Sequence, residues 1–398
     1  EYFEALMDKY FKREDYAADL TFEKNFDDGT PQISDNDGLW TAEYVASQCL
    51  RFAVTGENDA AEKARRSMRA MMKLVDVTGI PGFPARAYRR PGEDNYGDND
   101  IEWRKSSDET GDLEWKGETS SDETVGHFYA ASMFYDLVAD DKEKKEITAY
   151  IKGIADHILS HDYTLRDVDG LPTTWAFWGP DELNGDDKRI WERGTNSLEI
   201  LSFLNTAHRM TGDKKYRDEY EKLIKKHHYA MNLMRYKLFD NHACHIDDFL
   251  DILCIHCLLM YEDDPQLRKY YLTGFKKHFE EERIEKCPIF DFIYGGLTNE
   301  PCDVEYAVKT LSDAPLDTIN YDTKNSVRPD VIKDDSTVKF GGRIQAKYPL
   351  PIDERPMGRI YYNAFNLDMR GYENTATCPS TWLFSYWLGR YYDLFEEM

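Results

Sequence analysis

Runs of nearly unbroken apolar residues alternate along this chain with runs that carry charge on one side only. The clearest apolar run follows Gly117, where Val125, Phe128, Tyr129, Ala131, Met133, Phe134 and Tyr135 leave almost no polar face. A helix that is apolar nearly all round lies inside a protein. Its neighbour, Lys142 to Leu159, is amphipathic at helical spacing. The same pair recurs at 39–54 with 60–75, at 196–210 with 214–231 and at 245–261 with 265–282. The apolar Thr377 to Phe395 and the opening Glu1 to Phe11 can pair as a fifth unit. Two of the connecting turns, Thr55-Gly56-Glu57 and Thr211-Gly212-Asp213, are alike and occupy the same place in their units. The spacing between apolar helices is irregular, which excludes a short-period solenoid. An inner ring of apolar helices covered by an outer ring of amphipathic ones satisfies the pattern. The expected fold is all-α, an (α/α)6-type toroid, in one catalytic domain spanning residues 1–398. Segments 78–117, 160–193 and 284–375 have no periodicity and read as long, mostly irregular loops, the kind that carries function when it sits in a compact domain.

In such a ring the inner helices run parallel and their N-termini gather at the loop-rich end. That end collects Asp35, Asp37 and Trp40; Asp122, Glu123 and His127; Arg193 and Asn196; and His242, His245, Asp247 and Asp248. Ser120 and Glu123 have capping-box spacing. Asn196 and Glu199 have the spacing of an N-cap acceptor with a Glu three residues on. The positive end of a helix favours an ionised acid, so Asp122 is expected as base or nucleophile. The proton donor is left open among Asp37, Asp247 and Asp248.

Composition narrows the partners. A formal net charge of −25 excludes the basic footprint that nucleic acid requires. No apolar run is long enough for a membrane helix. The first residue is Glu1 rather than Met, from which a processed chain is expected, with a removed signal peptide and a periplasmic or extracellular address. Seven cysteines are scattered, and the Cys254-x-x-Cys257 pair lies in an apolar run that suits core packing. His242, His245 and Asp247 have donor types that suit zinc or manganese, but no HExxH motif accompanies them. The acidic tract 94–100 lacks EF-hand spacing. Neither metal nor cofactor is expected.

Paired carboxylates, aromatic faces and arginines at one end of a ring suit carbohydrate chemistry. Two carboxyl groups flanking a scissile bond are what glycoside hydrolysis needs. Asp122, Asp37, Glu123 and His127 are the catalytic candidates. Trp40, Trp175 and Trp178 offer flat faces for sugar rings. In so acidic a chain an anionic substrate needs local guanidinium forks, for which Arg86, Arg328 beside Asp330, and Arg355 are candidates. Asn196, His242 and Asp247 complete the binding set. Two other readings stand beside hydrolysis. One is a polysaccharide lyase with a His or Tyr base, drawing on Asn196, His127, His242 and Tyr361. The other is a non-catalytic glycan-binding protein.

Several segments together, DNDGLWTAEYVA, GIPGFPAR, SSDETVGHFYA, DVDGLPTTWAFW, ERGTNSLEILSFLNTAHRMTGD, APLDTI, NSVRPD and YWLGRYYDL, resemble bacterial toroidal carbohydrate enzymes. They are nearest to the exo-acting β-glucuronidases of glycoside hydrolase family 154. More distantly, the layout is similar to unsaturated glucuronyl hydrolases, which use two Asp residues from inner-helix starts. The resemblance implies removal of a terminal uronic acid, glucuronic acid first, from a plant or host glycan. It also implies that Asp122 matches the inner-helix Asp of those hydrolases, with Asp37 or Asp247 as the second. A clear copy of their other Asp motif is missing, which leaves the second role open.

Overall fold

The computed structural model describes residues 1–93, 102–106, 112–185, 189–190, 192–234, 245–334, 344–355 and 359–397, with only the backbone of 245 and 246. In chain order the helices are α1 Tyr2–Tyr10, α2 Asp37–Thr55, α3 Asn58–Asp76, α4 Ser121–Leu137, α5 Asp141–Ser160, α6 Pro180–Gly185, α7 Arg193–Thr211, α8 Lys214–His227, α9 Tyr229–Asn232, α10 His245–Tyr261, α11 Pro265–Glu282, α12 Pro288–Thr298, α13 Val304–Ser312 and α14 Ser380–Tyr391. The apolar helices α2, α4, α7, α10, α12 and α14 pack in that order, and α14 returns to α2, so they close a ring. Helices α3, α5, α8, α11, α13 and α1 lie outside it, each against an inner helix. The protein is therefore an all-α toroid of six hairpins, the sixth made by the two ends of the chain.

Local chemistry explains the hairpins. α2 and α7 both end on a left-handed glycine, Gly56 at φ 71° and Gly212 at φ 68°, the conformation that costs glycine least. α5 starts from a reciprocal box in which Asp140 accepts from Lys142 and Glu143 while Glu143 accepts from Asp140. Asp264 caps α11 and Pro265 fills its first turn, where no amide donor is needed. Each inner helix except α14 runs into its outer partner through a short turn. Most of the longer segments lead into the starts of inner helices, and this gathers those starts at one end.

Two segments hold more structure than the sequence pattern announces. Segment 284–375 is irregular over most of its described length, as expected, and also contains the hairpin α12–α13. Pro288 at the start of α12 and the left-handed Asn299 after its end are boundary signals, and the helix they bound is only eleven residues long. Segment 78–117 contains a three-stranded sheet of Tyr88–Arg89, Glu114–Lys116 and Trp103–Lys105. A two-stranded hairpin, Thr164–Arg166 with Pro172–Phe177, stands before α6. Ile319–Asn320, Tyr372–Ala376, Leu20–Thr21 and Thr30–Pro31 form a four-stranded sheet that ties the first segment of the chain to the segment before α14.

The core fills the ring wall. Phe128 of α4 stacks on Phe203 of α7 with ring centres 4.4 Å apart. Cys254 and Cys257 lie in this core, and burial pushes the Cys257 thiol up to about 12. α2 and α4 approach closely at Gly126, where an added methyl group would stand 2.7 Å from Leu39 Cα. α14 locks against α2 through Glu43, whose Oε2 accepts from Ser380 Oγ at 2.7 Å and Thr381 Oγ1 at 2.8 Å. Among the described residues no helix is long and apolar enough to cross a membrane.

Candidate active site

The first turn of α4 is organised differently from its sequence signature. Ser120 is its N-cap residue but makes no capping bond with its side chain. Glu123 does not reach back to it. The Glu123 carboxylate instead accepts from Gly38 N at 2.9 Å and Leu39 N at 3.2 Å, so it caps the neighbouring helix α2. Fully buried, it is driven well above the ordinary range by desolvation, against the pull of those amides and of Arg86. The capping box is thus replaced by a tie between two inner helices, and Glu123 faces protein rather than solvent.

Asp122, one residue earlier, is partly exposed at the ring end. Its Oδ2 accepts from Asn36 Nδ2 at 3.2 Å. Asn36 Oδ1 in turn accepts from Arg86 Nη1 at 2.9 Å. Arg86 also donates through Nε to Glu118 O at 2.6 Å and through Nη1 to Asp35 O at 3.1 Å. It makes no ion pair among the described residues. Desolvation raises the Asp122 carboxyl above its ordinary value, and Arg86, its own backbone amide and Asn36 offset this only in part. Burial thus opposes the helix end and the nearby cation, so the helix start alone does not fix Asp122 as an ionised base or nucleophile.

Three more acids converge from α7 and α10. Glu199 is fully buried and accepts from Trp178 Nε1 at 2.6 Å. Burial lifts its carboxyl well above the usual range; that bond opposes the lift, and the charges of Asp122, Asp251 and Asp247 add to it. Asp251 accepts from Thr195 Oγ1 at 3.2 Å, and Asp247 is partly exposed. Asp122, Glu199, Asp247 and Asp251 therefore form one acidic constellation across α4, α7 and α10. From sequence Glu199 reads only as part of a helix start, and Asp251 is not singled out. Their signal was a lone acid inside an apolar run, LEILSF and LDILCI.

The other candidates are placed as follows. Asp37 is buried in an ion pair with Arg13 at 3.0 Å, and Ser34 donates to it at 3.0 and 3.1 Å. His127 is fully buried, hydrogen-bonded to Tyr150, and lowered to about 3 by desolvation. Trp178 is completely buried, which corrects its reading as a sugar platform; its indole is a core wall that holds Glu199. Trp40 is nearly buried under the guanidinium of Arg359 at 3.7 Å. Trp175, 55% exposed on the hairpin before α6, keeps an open face. Asn196 does not cap α7, whose N-cap residue is Glu192; its Nδ2 donates to Phe177 O at 2.9 Å. Arg328 is neutralised by Asp330 and Glu354, both at 2.6 Å, so this guanidinium and Asp330 satisfy each other. Arg355 is buried. Tyr361 is buried and stacks on Phe249 at 4.0 Å. His242 lies outside the described residues, as do the side chain of His245 and the tract 94–100.

The arrangement supplies a protonatable carboxyl, a second carboxylate on a neighbouring inner helix and a half-buried cation in no contact ion pair among the described residues. No protein-family model and no curated protein matches the sequence. Among solved structures, the chain is similar to a glycosyl hydrolase family 88 protein from Bacteroides vulgatus, at 11% identity over 89% of this chain and 90% of that one, with a TM-score of 0.43. It is similar to a sugar epimerase from a ruminal bacterium at 9% identity, over 100% and 97% of the two chains, with a TM-score of 0.49. A polysaccharide lyase aligns at 12% identity over 89% of each chain, with a TM-score of 0.42. These likenesses concern the course of the chain and assign no residue a role.

Proposed function

We propose that the protein is a glycoside hydrolase that removes a terminal uronic acid, glucuronic acid first, from a glycan. The observation that carries this is the pairing of Asp122 with Arg86. A carboxyl raised by burial can hold a proton for a leaving group, as a general acid must. Beside it the Arg86 guanidinium is in no contact ion pair among the described residues, in a chain of net charge −25. Such a cation suits the carboxylate of a uronic acid. Asp122 would protonate the glycosidic oxygen. Asp247, across on α10, would act on the anomeric side, and water supplies the hydroxyl that ends on the sugar. The buried acids Glu199 and Asp251 would hold the shape and charge of the site. This is also the reaction that the resemblance to glycoside hydrolase family 154 implies.

Uronic acid glycosides and acidic polysaccharides, incubated with the protein, test the reading through two signals. Released uronic acid without new ultraviolet absorbance supports hydrolysis. Rising absorbance marks an unsaturated product and means elimination, in which case Asp122 is not the proton donor of a hydrolase. Glycan retention with neither signal means a binding protein.

A further inference from the structure

A concavity is walled in part by the segment that runs into the start of α2. It encloses about 670 Å³ between the N-terminal strands and the segment before α14, within the ~300–1,000 Å³ typical of small-molecule sites. Arg13, Phe22, Thr30, Gln32, Glu93 and Asn374 are among its walls. Two of its edges continue directly into the candidate site. Ile33 leads into Ser34–Asp37, the segment that carries Asn36. Glu93 lies seven residues beyond Arg86 on the same stretch of chain. The cleft and the constellation thus share the two stretches of chain that hold Asp122 in place.

We propose that this cleft binds the leaving-group side of the substrate, so that the protein acts on oligosaccharide chains rather than on isolated uronides. The wall carries hydroxyls, two side-chain amides, three carboxylates and two cations, all able to meet sugar hydroxyls, with the edge of the largely buried Phe22 among them. Arg13 is the anchor. Its Nη2 donates to Asp37 Oδ2 and to Tyr88 O, both at 3.0 Å. Its Nε and Nη1 make no hydrogen bond in this structure, and Nη1 has only a long ion pair with Glu93 at 3.9 Å. Buried donors normally find an acceptor, and a sugar hydroxyl or ring oxygen is one. The proposal rests on the hydrolase reading for the direction in which the chain runs, with its cleaved end at Asp122.

Thr30 and Asn374 are exposed on the cleft wall, outside the acidic constellation, so a tryptophan at either fills the cleft without entering the core. Thr30→Trp and Asn374→Trp are each expected to lower kcat/KM about tenfold or more on an acidic tetrasaccharide, while leaving hydrolysis of a simple aryl uronide within about twofold. Gln32→Ala should act in the same direction by removing an amide. Equal losses on both substrates, or no loss on either, overturn the cleft assignment. Titration of the tetrasaccharide and of the free uronic acid into Asp122→Asn, with and without Thr30→Trp, separates the two readings. No turnover by the wild type, with affinity that grows with chain length and is lost in Thr30→Trp, removes the hydrolase and keeps the cleft. Turnover by the wild type with affinity independent of chain length removes the cleft and keeps the hydrolase.

Discussion

Each carboxylate at the loop end owes its character to what surrounds it. Asp37 and Asp122 both stand at helix starts, yet Asp37 is neutralised by Arg13 while Asp122 looks outward past Asn36. Asp122→Asn keeps the Asn36 contact within reach and removes the proton. Turnover of a uronide should therefore fall about 10²–10⁴-fold with helical content unchanged, read by kinetics and circular dichroism. If Asp122 is the donor, kcat/KM should decline on the alkaline side as pH rises through its elevated pKa, and Asp122→Asn should abolish that limb. Glu199 gives a test of stability. Its folded-state carboxyl titrates well above an ordinary Glu, so the folded state keeps a proton that the unfolded chain gives up. Its contribution is fully present below the unfolded value and is lost as pH rises toward the folded one. Glu199→Gln should accordingly raise the melting temperature at pH 8 relative to wild type and change it little near pH 4. The opposite pattern would mean that Glu199 is ionised in the fold.

At the scale of elements, the α2–α4 pair is the most tightly specified contact in the ring. Glu123 caps α2 from α4, and Gly126 lets the two helices touch. Gly126→Ala must push Leu39 away and should cost about 1–3 kcal/mol in chemical denaturation. An unfolding midpoint equal to wild type would show that the crossing has slack. Four of the hairpins, and the pairing of the chain ends, were legible in sequence because an apolar run followed by an amphipathic one repeats at helical period. α12–α13 was not, since both helices are short and glycine and proline punctuate them. The candidate site was legible in part: Asp122, Asp247 and Arg86 could be placed at one end by topology. The roles of Ser120, Glu123 and Trp178 could not, because a capping signature does not say which helix it caps and an indole in a polar segment can still turn inward. The roles of Glu199 and Asp251 escaped for the same reason, as their partners come from other elements.

For the molecule as a whole, charge opposes the proposed substrate. A chain of net charge −25 repels an acidic glycan over roughly a Debye length, about 10 Å at 0.1 M salt. Raising ionic strength from low to moderate should therefore increase kcat/KM on an acidic polysaccharide, and leave it nearly unchanged on a neutral aryl glycoside. A fall with salt would mean that local cations such as Arg86 dominate the encounter. The ring itself was legible as a whole because no strand-rich region competed with the helical pattern, whereas its small sheets depend on pairings such as Leu20 with Ala376 that local sequence does not announce.

The latch between α14 and α2 also sets the order of events during synthesis. Glu43 is completely enclosed, and its hydroxyl partners Ser380 and Thr381 lie 337 and 338 residues further along the chain. Until they emerge from the ribosome, α2 presents an open flank and an uncapped acid. The earlier hairpins can stack as they appear, but the circle stays an open crescent. Contacts so distant in sequence are slow to form and leave apolar surface exposed meanwhile. The nascent crescent is thus the stage at which the protein is most vulnerable to aggregation and proteolysis.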